Sequence, residues 1–275
     1  MMEFALIASG SKGNCFVVQN EGTCIVIDCG STRKHLQASF HELGIGRDDI
    51  DAVLITHDHS DHIAQINYFA AYDIYSPVNI EDICYARVVN KQPFSIGSLY
   101  ITPLALSHDA RNTYGYIIEN ETEKLVYITD TGYVNESYIP LIRDADYYVM
   151  ESNHDVGMLM RTRRPQYLKA RIYGDQGHLC NEDCAEVLAA CVTKRTKMII
   201  LAHISQEANT RELALQTCIE RLEQEEDLLS DDLVICAAGQ YEMIRKGEGY
   251  EKTDPGTVSC TAGLGCLSDG AAYNR

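Results

Sequence analysis

Along this chain, short apolar runs alternate with clusters of turn-forming residues, and the period of the apolar positions switches between two and nearly four. Residues 4–8 and 16–18 read as strands flanking Ser9-Gly10-Ser11-Lys12-Gly13-Asn14, a turn made of residues that tolerate tight or left-handed backbone. Residues 23–28 are apolar almost throughout, the pattern of a strand buried on both faces, and residues 51–55 form a second short buried strand. Helical spacing appears over residues 34–43, ending at Gly44, and again over residues 63–72. Further strands are predicted at 99–102, 114–119, 124–129, 147–150 and 198–202. A helix begins near Asn181 and runs through residues 187–192. Asn209 precedes an amphipathic helix reaching about residue 227, with Glu212 three positions on in capping-box relation. Residues 233–237 and 241–244 read as a hairpin around Gly239. No long internal repeat or flexible linker is visible. Strands and helices alternate in both halves, which predicts an α/β fold: two mixed β-sheets packed together with helices outside, a four-layer αβ/βα sandwich. Residues 1–246 then form one domain, and residues 247–275, rich in Gly, Ser and Thr without periodicity, an irregular tail.

Composition narrows the function classes. A length of 275 residues allows a substantial core. Residues 1–8 lack a basic n-region and a cleavage site, and no apolar run approaches the ~20 residues of a membrane span, so neither secretion nor membrane insertion is expected. Eleven cysteines without C-x-x-C spacing argue for reduced thiols in a cytoplasm and for small core residues. The net charge of −17 disfavours a broad nucleic-acid-binding face. The acidity is uneven, however. Residues 156–174 contain Arg161, Arg163, Arg164, Lys169 and Arg171, with Tyr167 and Tyr173 interleaved and no acidic residue. That stretch is a candidate phosphate-binding surface, with Arg163, Arg164, Lys169 and Arg171 as its contacts; an ordinary solvated face has the same composition.

The densest chemistry lies in Thr56-His57-Asp58-His59-Ser60-Asp61-His62, an H-x-H-x-D-H run placed between the end of a strand and the start of a helix. In α/β folds that edge is where ligands collect. Two imidazoles one residue apart can converge on one cation, while an aspartate and a histidine one turn later serve a second. Imidazole with carboxylate suits zinc, manganese or iron. His108, Asp130 and His203 each follow an apolar run and so end a strand at the same edge. Cys29 lies in the Asp28-Cys29-Gly30 turn, close enough to approach a metal, although a structural thiol is the better reading there.

These residues carry a resemblance. The H-x-H-x-D-H turn after a buried strand, preceded by Ile27-Asp28-Cys29-Gly30, resembles the metallo-β-lactamase fold superfamily. Ser107-His108-Asp109-Ala110, Thr129-Asp130-Thr131-Gly132, Glu151-Ser152-Asn153-His154-Asp155, Gly177-His178-Leu179-Cys180-Asn181 and Leu201-Ala202-His203-Ile204-Ser205, with the 9–14 turn, narrow it to the YycJ/WalJ-like branch. The similarity spans about residues 3–245, and Cys180 stands where the branch usually has serine. That branch is nuclease-like and related in site design to ribonucleases Z and J. The resemblance implies a dinuclear centre, with His57, His59 and His108 on one divalent cation (zinc or manganese, iron also fitting) and Asp61, His62 and His203 on the other. It places Asp130 as the bridge and Asp28 as a support that orients a ligand histidine. His178 is then the candidate acid for a leaving alkoxide, with Glu151 accepting its other N–H and Asp61 counted among the catalytic groups. Two cations ~3.5–4 Å apart can activate a shared water and neutralise charge on phosphoryl oxygens.

The leading expectation is therefore a metal-dependent phosphodiester hydrolase, a 5′-to-3′ exonuclease-like enzyme on single-stranded DNA or RNA, with homo-oligomerisation left open. The alternative is a hydrolase of a small ester, thioester, lactone or cyclic phosphodiester, and a third reading is a partner-binding regulator that keeps a metal site. His154 and Asp155 lie near enough in sequence to bind substrate, the 10–14 turn offers backbone N–H groups to a phosphate, and His35 and His41 read as structural or exposed.

Overall fold

The structure, a computed structural model, describes residues 1–80, 87–89 and 91–247. The irregular tail expected from residue 247 lies, from residue 248 on, outside the described residues. The strands are β1 (Glu3–Ala8), β2 (Cys15–Asn20), β3 (Thr23–Ile27), β4 (Ala52–Leu54), β5 (Asp73–Ser76), β6 (Arg87–Val88), β7 (Phe94–Ile96), β8 (Leu99–Leu106), β9 (Thr113–Glu119), β10 (Lys124–Ile128), β11 (Tyr147–Glu151), β12 (Met198–Ala202), β13 (Val234–Ala237) and β14 (Ile244–Arg245). The helices are α1 (Arg33–Glu42), α2 (Ser60–Ile63), α3 (Ile139–Ile142), α4 (Val156–Arg161), α5 (Gln166–Tyr173), α6 (Asn181–Cys191) and α7 (Arg211–Leu222). One seven-stranded sheet has the order β14-β1-β2-β3-β4-β5-β6 and the other β13-β12-β11-β10-β9-β8-β7. No helix among the described residues is long and apolar enough to cross a membrane.

Strand alternation explains the layering. In β3, Ile25 and Ile27 join Phe16, Tyr116 and Tyr127 in the core between the sheets, while Cys24 and Val26 meet Leu36 and Phe40 of α1 outside. In β11 and β12, Val149 and Ile200 face the central core, while Tyr148 and Ile199 meet Leu188, Leu215 and Cys218 of α6 and α7. Each central strand is therefore apolar on both faces, and the four-layer αβ/βα arrangement is present.

The two sheets repeat one topology. From β14 to β6 the pairings run antiparallel three times and then parallel three times, and from β7 to β13 they do the same. β3 and β10 are equivalent, and each runs out into Asp-x-Gly: Asp28-Cys29-Gly30 and Asp130-Thr131-Gly132, with left-handed φ of 59° at Asp28 and 56° at Asp130. The duplication that the sequence hides is visible in the strand order.

Three sequence expectations need correction. Residues 233–237 and 241–244 do not form a hairpin: β13 lies parallel to β12 in one sheet and β14 antiparallel to β1 in the other. The chain crosses between sheets around Gly239. The 63–72 helix is instead a single turn, α2, followed by a 3-10 segment at Ile66–Phe69. Asn209 does not cap α7; Thr210 does, accepting from Leu213 N at 3.1 Å, and Asn209 is buried with its amide on Ser152 O, Asn153 O and Asn181 Oδ1.

Candidate metal centre and its cleft

β4 ends at Leu54, and the chain turns through Thr56 into His57, which is wholly buried. Neighbouring loops hold this turn by backbone. Cys29 N donates to His62 O at 2.7 Å, Asn14 N to Asp61 O at 2.8 Å, and Gly30 N to Asn14 O at 3.0 Å. A Cβ on Gly30 would stand 1.5 Å from Asp61 O, so only glycine allows this approach. From the second sheet, the Tyr116 hydroxyl donates to Ile55 O at 2.6 Å.

Beneath the turn, Asp28 accepts from Thr56 N at 2.9 Å, Thr56 Oγ1 at 2.8 Å and His62 Nδ1 at 2.8 Å. Asn14 accepts from Gly10 N at 2.8 Å through Oδ1, which leaves its amide nitrogen 2.9 Å from His62 Nε2. That donor favours the tautomer with the proton on Nδ1, which a carboxylate-backed metal ligand also has; a cation at Nε2 would displace the Asn14 contact and leave that amide on Gly10 O, at 3.2 Å. Burial opposes charge on His62, but Asp28 and Asp130 outweigh it and raise its affinity for positive charge, whether proton or cation.

The strand-end residues converge here. His57, His59 and His108 offer ring nitrogens within 4.8 Å of one another, as do the ligand atoms of Asp61, His62 and His203. Asp130 forms a third such group with His57 and His62. Its Oδ2 lies 3.2 Å from His62 Nε2 and its Oδ1 3.5 Å from His203 Nδ1. His108 donates from Nδ1 to Gly177 O at 2.9 Å, which leaves Nε2 as its free nitrogen. A fourth cluster contains Asp130, Glu151, His178 and His203. Glu151 is already saturated there: Oε1 accepts from His178 Nδ1 and His203 Nδ1, each at 2.8 Å, and Oε2 from Thr131 N at 2.8 Å and Leu179 N at 3.2 Å. It is placed to orient both rings rather than to ligate.

Whether this donor set fits a cation can be judged from its unmet valences. His57 Nε2, His203 Nε2 and Asp130 Oδ2 are buried polar atoms without a hydrogen-bond partner. Such orphans are costly, and divalent cations would satisfy all three. Burial, helped by His62, holds His57 below the ordinary histidine range, and burial lowers His108 too, so both present neutral nitrogens. Burial disfavours charge on Glu151, yet His178 and His203 hold its carboxyl down at about 2. Against burial, Asp130 and Glu151 push His203 up to about 9, an affinity for positive charge that a metal would also exploit. Cys29 is buried and its thiol is pushed up by burial, so it stays a protonated core residue.

His108 and His178 also line a cleft of about 440 Å³, with Asp109, Arg164, Arg171 and Glu207 on its other walls. Of the basic residues singled out in the sequence, Arg164 and Arg171 line it; Arg163 is exposed elsewhere, and Lys169 is buried with Nζ on Met160 O at 2.6 Å. His154 is enclosed and held down at about 4 by burial, and Asp155 caps α4 by accepting from Met158 N. Of the five backbone N–H groups in the 10–14 turn, those of Gly10, Lys12, Gly13 and Asn14 are bonded within the protein, so the turn does not offer a phosphate a cradle of several N–H donors. His35 bonds Ile7 O at 3.0 Å, and His41 is exposed. The sequence reading missed Thr56, Asn14 and Asp109. Thr56 and Asp109 each adjoin a candidate ligand in the chain, which was the available signal; Asn14 had none beyond its turn.

Comparison with known proteins agrees with this architecture. Residues 23–204 match the model of the β-lactamase superfamily domain. Exodeoxyribonuclease YycJ of Bacillus anthracis is 36% identical over 239 residues, covering 81% of this chain and 90% of that protein. Exodeoxyribonuclease WalJ of Streptococcus pneumoniae is 34% identical over 238 residues, covering 81% and 88%. The crystal structure of the metallo-β-lactamase fold protein YhfI from Bacillus subtilis superposes with a TM-score of 0.63 at 17% identity, covering 89% of this chain and 99% of that one. With about two thirds of its length inside the family model and relatives of 34–36% identity covering 81% of it, the chain belongs to the β-lactamase superfamily, in its YycJ/WalJ-like branch of metal-dependent, nuclease-like hydrolases.

Proposed function

We propose that residues 1–246 form a two-metal phosphodiesterase that shortens single-stranded DNA or RNA from the 5′ end. In this reading His57, His59 and His108 hold one divalent cation, zinc or manganese, and Asp61, His62 and His203 hold the other, with Asp130 between them and Asp28 orienting His62. When bound, such ions supply water activation and neutralise charge building on phosphoryl oxygens. The rest falls to the chain. Glu151 fixes His178 with its Nδ1–H inward, so Nε2 is the nitrogen that delivers a proton to the departing sugar oxygen. His178 is half-buried and lines the cleft, where a leaving group can reach it.

The observation that carries the proposal is the Glu151 carboxylate shared between a candidate ligand, His203, and a candidate acid, His178. A phosphodiester needs both functions side by side, since an alkoxide leaves poorly without a proton. The names of the 36% and 34% identical relatives support a nucleic-acid end as substrate. Strands labelled at either end, incubated with zinc- or manganese-loaded protein, test this. The 5′ label should be released at once as a small product, while 3′-labelled strands shorten through a ladder. Intact strands alongside rapid turnover of carboxylic esters would replace the reading with that of a small-ester hydrolase.

A further inference from the structure

The cleft beside His108 and His178 has a second wall that the chemistry above does not use. Leu168, Arg171 and Ile172 of α5 line it, together with Arg164 just before that helix. Arg171 bonds Asp109 and Arg164 bonds Glu207, each through Nε. Among the described residues the terminal nitrogens of both guanidinium groups have no hydrogen-bond partner, which leaves each with donors in the fork geometry that matches a phosphodiester. Tyr167 precedes Arg171 by one helical turn and so sits beside it on the helix surface. It is 76% exposed, unusual for a large aromatic side chain. Residues 156–174 hold five basic residues and no acidic one in a chain of net charge −17.

From these placements we infer that the α5 wall seats the single-stranded tract next to the bond being cut, with Arg164 and Arg171 on its phosphodiester oxygens and Tyr167 stacked on an unpaired base. This deepens the proposed function and rests on its nucleic-acid reading. Asp109 and Glu207 balance the charge of the two arginines, so it is the unused terminal N–H donors of both guanidinium groups that make a phosphodiester the complementary occupant. The exposed ring selects a single strand, because stacking needs a base face that a duplex keeps covered. Asp109 and Glu207 hold the two guanidinium groups in place before substrate arrives, and such partly exposed pairs are weak enough for a phosphate to share or replace.

The test uses the metal-loaded full chain, a fluorescent single-stranded phosphorothioate oligonucleotide for binding, an ordinary one for cleavage, and bis-p-nitrophenyl phosphate as a substrate too small to span the wall. The double variant Arg164→Gln/Arg171→Gln should weaken oligonucleotide binding at least tenfold. It should also flatten the dependence of log Kd on log salt by about 0.7 for each phosphate that the variant no longer neutralises. Its kcat/KM should fall, mainly through KM, at least tenfold more for the oligonucleotide than for bis-p-nitrophenyl phosphate. Tyr167→Ala should lose about tenfold in binding, and Tyr167→Phe, which keeps the ring, should recover it. If the variants bind and cut strands as the parent does, the α5 wall is not the seat, and the nuclease reading stands. If the parent turns over bis-p-nitrophenyl phosphate but neither binds nor cuts any strand, both fall.

Discussion

One oxygen of Glu151 sets two rings. His178 Nδ1 and His203 Nδ1 each lie 2.8 Å from Oε1, so both imidazoles are held with Nδ1–H inward and Nε2 free. In His203 that free nitrogen is a buried orphan within the ligand cluster; in His178 it belongs to a ring that is 21% exposed and lines the cleft. In the proposed function the same imidazole would serve as donor to a cation in one place and as proton source in the other. His178→Ala should lower oligonucleotide turnover by about 10²–10⁴-fold while bound metal, measured by elemental analysis, stays at the parental level. On bis-p-nitrophenyl phosphate the loss should be far smaller, because p-nitrophenolate departs without a proton. Equal losses on the two substrates would remove His178 from the acid role. The Glu151–His178 pairing could be read from a strand-end glutamate and a histidine after a glycine turn. Its extension to His203 could not, because it depends on β11 and β12 lying side by side with Glu151 in register with Ala202.

At the scale of elements, the sequence reveals what depends on burial and conceals what depends on partners. β1, β3, β4, β9, β10, β11 and β12 were legible because each is apolar enough to pack between two layers. The short strands β5 and β7 bury less and carry no such pattern. Residues 63–72 have a helical period, yet α2 stops after one turn for a reason outside the helix. Asn14 N takes Asp61 O, Cys29 N takes His62 O, and Gln65 N is drawn to Cys29 O, so the carbonyls that would extend the helix are already engaged. The ligand turn is thus a knot of three loops, and Gly30 is its tightest point. Gly30→Ala would drive a Cβ into backbone, not into a side chain that can yield. It should cost more than about 4 kcal/mol or prevent folding, and any folded fraction should bind metal poorly. Gly46→Ala, where the nearest atom is a movable Asp49 carboxylate oxygen at 3.1 Å, should change stability by about 1 kcal/mol or less. Urea titrations of the two variants decide the matter. Similar midpoints would show that the loops yield, and that their backbone lacing does not define the site.

Across the whole molecule, the two halves meet at both ends of the sandwich, in different ways. At the ends where β4, β10 and β12 run out, the first half brings the 57–62 turn and the second brings His108, Asp130 and His203, so the candidate centre forms only when the sheets are held in place. At the opposite end, Glu123 of the second sheet, just before β10, accepts from Met2 N at 2.6 Å, Tyr147 Oη at 2.7 Å and Lys246 Nζ at 3.0 Å. Met2 and Lys246 flank β1 and β14 of the first sheet, so one carboxylate clamps the halves together. Burial opposes its charge, but the bonds from Tyr147, Met2 and Lys246 hold Glu123 down at about 2, from an ordinary 4.5. A carboxyl whose folded pKa is depressed binds protons more readily once unfolded, so its stabilisation is complete above about pH 4.5 and disappears as the pH falls to about 2. Glu123→Gln should therefore unfold more easily at neutral pH by about 1–3 kcal/mol, the scale of hydrogen bonds to a charged group. The gap between variant and parent should close across that acid window. Urea unfolding of both proteins in chelator, so that loss of metal affects neither, isolates this difference from the protonation of the histidines. A gap that stays constant from pH 7 down to 2 would mean that the clamp works by shape alone, and that the charge on Glu123 does not hold the two sheets in register.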